Sequence, residues 1–272
     1  YPTDDEIAVL AAEAVMDTSP WNYWLADGKP VGKSGEAVRL LEGVLKRNPG
    51  HVQAAHLYIH MLELPDPARA EAAADRLAAS AGVQAAAHLV HMPAHIWHRR
   101  GRYQDSLRAN IAAARADERW IAATNDQGMV RYAYYPHNVH FIVTSAMMAG
   151  DVATTKAEAM RLGRLLSPDM SAQFGTAQAV EAAPFQVMAM VGEPDAILAM
   201  PAPDARLPYA LAMRHFARAT AFAQMRDKAG FDGEMKAMAA QADHPGTRDL
   251  VAQSVPLPDL IRIAEGVARG RW

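Results

Sequence analysis

Apolar residues recur along this chain at intervals of three and four from end to end, mostly in alanine-rich segments, while period-two runs of Val, Ile and Thr are almost absent. That spacing predicts helices throughout and no sheet, because positions i, i+3, i+4 and i+7 share one helical face. Turn signals cut the helices into hairpins at Pro65-Asp66-Pro67, Gly101-Arg102, Gly150-Asp151, Gly192-Glu193-Pro194 and Arg226-Asp227, with steps of 34 to 49 residues typical of helical repeats. Asp66 is expected to cap the helix that Pro67 opens, and Asp151 the helix from Val152 to Leu166. Residues 1–34, which include Trp21, Tyr23 and Trp24, read as a first helix plus an aromatic loop packed on an array covering 35–272.

The 272 residues carry a net charge of −3 with acids and bases interspersed, which excludes a basic stripe for nucleic acid and a patch for anionic membranes. With no cysteine, thiolate ligands, thiol nucleophiles and disulfides are excluded, leaving His, Met, Asp and Glu for any metal or acid–base chemistry. No apolar run reaches the roughly 18–20 residues of a membrane span, so a soluble chain is expected. Because the first residue is Tyr1 rather than Met, a processed N-terminus is expected. Gly28 to Ser34 imitates a phosphate-binding loop, but it has three residues between its glycines where four are required, contains Pro30 and follows no strand; it reads as an ordinary loop. GxSxG, HExxH and dinucleotide signatures are missing.

The histidines carry the distinctive pattern. Seven of the eleven fall in three predicted helices: His56 and His60; His88, His91 and His95; His137 and His140. At about 100° per residue, His88, His91, His95 and His98 lie within an arc of about 80°, and the other pairs within about 40° and 60°. In the middle helix the apolar residues centre about 160° away, so packing and histidine presentation are expected on nearly opposite faces. Pro93 removes a backbone donor opposite the carbonyl of Leu89 and is expected to kink or bulge the helix between His91 and His95. His51, His98, His215 and His244 read as helix-end, surface or loop residues.

Ala94, Gly101, Tyr103, Ser106 and Ala113, in the hairpin from Gln84 to Asp117, resemble the tetratricopeptide consensus. Over residues 48–150, the histidine-bearing core, the chain resembles a group of bacterial tetratricopeptide-repeat proteins sharing an HxxHMPxHI motif, present here as His88, His91, Met92, Pro93, His95 and Ile96. The resemblance implies an all-α, tetratricopeptide-like solenoid of stacked antiparallel hairpins, and carries no activity with it. Members of that group continue further on the N-terminal side. In the repeat register, His88, His91 and His95 fall at positions two, five and nine, His137 and His140 at two and five, and His56 and His60 at five and nine. The resemblance implies that these positions line a concave groove.

Two readings follow. In the first, the seven histidines enclose one or two transition-metal ions, copper or zinc foremost with iron compatible, because imidazole suits these metals and magnesium and calcium seek oxygen. Around that set, Met61 and Met92 could add soft ligands, Glu63 is the one nearby acid, and Tyr135 and Asn138 could orient a ligand; packing and interhelix hydrogen bonding are the plainer roles for both methionines and for Tyr135 and Asn138. Any catalysis would use the metal as Lewis acid or redox centre, with a small molecule as substrate. In the second reading the array is a scaffold whose groove binds a peptide or protein partner.

Overall fold

The structure, a computed structural model, describes residues 3–80 and 86–272. It is all-helical; among the described residues the only β-type pairing is an isolated bridge between Trp24 and Pro30. The expected hairpin starts at Gln84, outside the described residues, and is followed here from Ala86. Packing divides the chain into two compact units, 1–149 and 150–272.

The first unit contains α1 (Asp5–Asp17), α2 (Ser34–Arg47), α3 (Val52–Leu62), α4 (Pro67–Ala79), α5 (Ala87–His91), α6 (Pro93–Arg99), α7 (Tyr103–Thr124), a π-helical segment (Val130–Tyr134) and α8 (Tyr135–Met148). Each helix packs chiefly on its sequence neighbours, with α5 and α6 together lying on α7 and α7 on α8. Leu41, Ile59, Met61, Leu62, Met92 and Ile96 are fully buried in its core. Ser106 on α7 and Ser145 on α8 share a buried hydrogen bond of 2.8 Å.

The second unit comprises α9 (Val152–Leu162), α10 (Pro168–Gln173), α11 (Gly175–Val191), α12 (Pro194–Leu198), α13 (Pro208–Met225), α14 (Lys228–Ala239), a 3-10 turn (Ala240–Asp243), α15 (Thr247–Ala252) and α16 (Leu257–Arg271). Helix α13 is its axis and packs against α11, α12, α14 and α16.

Each of the five turn signals lies between helices. Gly101 and Gly150 take φ of +78° and +79°, a left-handed conformation that glycine adopts without steric cost. Asp151 accepts from the Thr154 N–H at 3.0 Å, as its capping position requires. The helix it opens ends at Leu162, short of Leu166, and Gly163 lies so close to Pro184 that a Cβ there would sit 2.6 Å from the ring. Asp66 precedes α4 but makes no capping bond. Its backbone stands at φ −157° and ψ 71°, outside the helical region that a following proline disfavours. Pro93 interrupts the helix as expected: α5 ends at His91, α6 begins at Pro93, and the His95 N–H reaches back only to Met92.

The loop between α1 and α2 is fastened by the Trp24 indole, which donates to the Met61 carbonyl at 2.6 Å. Substituting Trp24 by Phe leaves that carbonyl unpaired and should lower stability by about 1–3 kcal/mol, measured as a reduced denaturation midpoint by circular dichroism.

Candidate metal centre

Helix α3 projects His56 and His60 from positions one turn apart; α5 supplies His88 and His91, α6 supplies His95, and α8 supplies His137 from just beyond the π-helical segment. These six rings form two triads. Ligand-capable nitrogens of His56, His60 and His88 lie within 4.8 Å of one another, and so do those of His91, His95 and His137. The triads adjoin, with ring centroids of His60 and His95 5.6 Å apart and those of His88 and His91 6.2 Å apart.

Proton positions in the second triad follow from its partners. The Asn110 amide donates to the Ser106 carbonyl at 2.8 Å, which turns Asn110 Oδ1 toward His91 Nδ1, 2.6 Å away. His91 therefore donates from Nδ1, and in the neutral ring its Nε2 is a bare lone pair. His95 Nδ1 lies 2.7 Å from Glu63 Oε2. Burial alone would raise the Glu63 carboxyl, but its contacts with His60 and His95 outweigh burial and bring its pKa down to about 2. A carboxylate only accepts, so His95 carries a proton on Nδ1. Its Nε2 faces the bare Nε2 of His91 at 2.8 Å, and His137 Nε2 stands 3.1 Å from the same His91 atom, so two ring nitrogens converge on one lone pair.

The first triad repeats the motif in part. His56 Nδ1 meets Gln53 Oε1 at 3.1 Å, which directs Nε2 to His88 Nε2, also 3.1 Å away. His60 Nδ1 is 3.6 Å from Glu63 Oε1, so one carboxylate lies beside a ring from each triad. Trp21 covers His60 edge-on at 5.0 Å, and Tyr134 of the π-helical segment packs on His88 at 5.0 Å. Phe141 lies under His91, His95 and His137.

Burial, followed by neighbouring imidazoles, holds His56, His88, His91 and His137 below the ordinary imidazole range. It lowers His56 to about 3 and His88 to about 4, and it places the fully buried His91 well below the ordinary range. His137 is an exposed residue, but its ring is packed against Phe141 and His95, and desolvation, with His95 next, lowers it to about 3. Near pH 7 such nitrogens are in the form that ligates metals.

His140, lowered by burial, belongs to neither triad. It lines a cleft of about 420 Å³ together with Glu63, His95, His98, Arg99 and His137. Met61 and Met92 are fully buried core residues. Tyr135 donates to Glu118, and Asn138 donates to Asp117 at 2.7 Å in a buried link between α8 and α7; burial raises the Asp117 carboxyl to about 6. The expectation that histidines and packing occupy opposite faces fails at His91, which is 0% exposed. His51 caps α3 and His244 sits in a loop, as read from the sequence. His98 ends α6 but faces the cleft, and His215 lies within α13, 2.7 Å from Glu234. Sequence reasoning also missed Gln53 and Trp21; the i, i+3 spacing from Gln53 to His56 was the available signal for the first, and nothing local marks the second.

The histidine shifts fix the sign of an acid dependence. An unfolded chain takes up protons at about pH 6.5, whereas folded His56 and His88 do so only at about 3 and 4. Stability is therefore lost as pH falls from 6.5 toward 4. The metal-stripped protein should melt at progressively lower temperature across this window, and the double variant His56→Gln/His88→Gln should show a shallower dependence by differential scanning calorimetry.

The chain matches no protein-family model, no curated protein and no solved structure.

Proposed function

We propose that this protein binds one or two transition-metal ions through its imidazole triads, and that its helices form a tetratricopeptide-like solenoid presenting them in a groove. One observation carries the metal reading: the Nε2 atoms of His95 and His137 converge on the bare Nε2 of His91 at 2.8 and 3.1 Å. A cation among them would be ligated by all three rings, and the outer partners Asn110 and Glu63 are of the kind that orient metal-bound imidazoles. On a tetrahedral ion at about 2.0–2.1 Å, nitrogen ligands stand about 3.3 Å apart. Separations of 2.8 and 3.1 Å need only a slight spreading of the rings.

An all-nitrogen set favours zinc or copper, with iron also compatible. Burial of Met61 and Met92 in the core removes the thioether argument that would single out copper. The scaffold reading is less well supported, because a peptide needs open surface on the histidine face and the rings there are packed on one another and under Trp21.

Protein purified without chelator should contain a transition metal by inductively coupled plasma mass spectrometry; less than about a tenth of an equivalent would sink the reading. Replacing His91 and His95 with Ala should abolish uptake at the second triad. Glu63→Gln, which removes an orienting charge but no proposed ligand, should weaken affinity by about 10–100-fold while the fold persists by circular dichroism.

A further inference from the structure

The cleft beside the second triad combines features that the metal reading does not use. Two of the proposed ligands, His95 and His137, form part of its wall, so an ion in that triad would face it. Phe141 also lines it, and its ring packs against His98 as well as the triad, giving the cleft an aromatic surface. Arg99, exposed at the end of α6, makes no ion pair among the described residues and lines the same cleft. The one carboxylate in the lining, Glu63, already faces His95 and His60.

A free guanidinium fork and an aromatic wall call for an anionic group joined to an apolar body. Arg matches planar carboxylates through paired N–H donors, and the cleft volume of about 420 Å³ lies within the roughly 300–1,000 Å³ of small-molecule sites. We propose that this cleft receives a small organic carboxylate, with its anionic end on Arg99 and its body on Phe141, next to the ion held by His91, His95 and His137. This assignment rests on the metal reading and names the class of molecule presented to that ion.

Benzoate is a suitable probe, titrated calorimetrically into the full chain in zinc-loaded and metal-stripped forms, and into the cobalt-loaded form with its visible spectrum recorded. Benzoate should bind the zinc form, and Arg99→Ala, a change at an exposed position, should weaken binding by about tenfold or more. Arg99→Lys should recover part of the loss, with the metal content unchanged. Benzoate should also perturb the cobalt bands along the same binding curve. Full metal uptake with no benzoate binding, or with binding indifferent to Arg99, overturns the cleft assignment and leaves the metal reading intact. Inorganic phosphate binding as tightly as benzoate would overturn the role given to Phe141, and binding that leaves the cobalt spectrum unmoved would overturn proximity to the ion. Arg99-dependent binding by a protein that takes up no ion would support the carboxylate cleft and overturn the metal reading.

Discussion

The contact between His91 and His95 constrains the rest of the site. The His91 ring, its proton held on the far side by Asn110, turns a bare nitrogen toward His95 Nε2 at 2.8 Å and His137 Nε2 at 3.1 Å. The residues behind these rings hold them in place. Asn110 is pinned by Ser106, Ser106 is bonded to Ser145, and Glu63 projects from the end of α3 toward α6. These partners fix the geometry of the triad before any ligand arrives.

The two halves of the chain differ in how they use buried polar groups. In residues 1–149, Asn110, Ser106 and Ser145 form a buried chain that ends on His91, while Asp117 and Asn138 pair with each other. In residues 150–272, Glu234 accepts from both His215 and Arg218, and the Gln178 side chain receives the Tyr209 N–H. A carboxylate bonded to an imidazole and a guanidinium at once is a satisfied structural element, and this explains why His215, though buried in part, does not belong with the other histidines.

Much of this was legible in the sequence because a helix has a fixed period. Spacings of three and four place His88, His91 and His95 in one arc whatever the helix packs against, and Gly101, Gly150 and Pro93 act through their own backbones. What the period cannot supply is the identity of the residue across the gap. His91 is buried because α7 brings Asn110 to it, and His140 falls outside the triads although it lies one turn from His137. His98, read as a helix end, faces the cleft for the same reason. Asp66 shows the limit of cap rules: the residue type was right, but at φ −157° and ψ 71° its side chain makes no capping bond. The tetratricopeptide resemblance gave an expectation of register; the all-helical architecture is what the coordinates establish.

Glu63 stands between the triads, 2.7 Å from His95 and 3.6 Å from His60. A single negative charge shared in this way ties the two pockets thermodynamically. Whatever draws the carboxylate toward one ring withdraws it from the other, and filling one pocket must alter the affinity of its neighbour by the same factor in both directions. Two ions taken up here would therefore not act as independent guests, and the sign of their mutual influence is decided by the position of one glutamate.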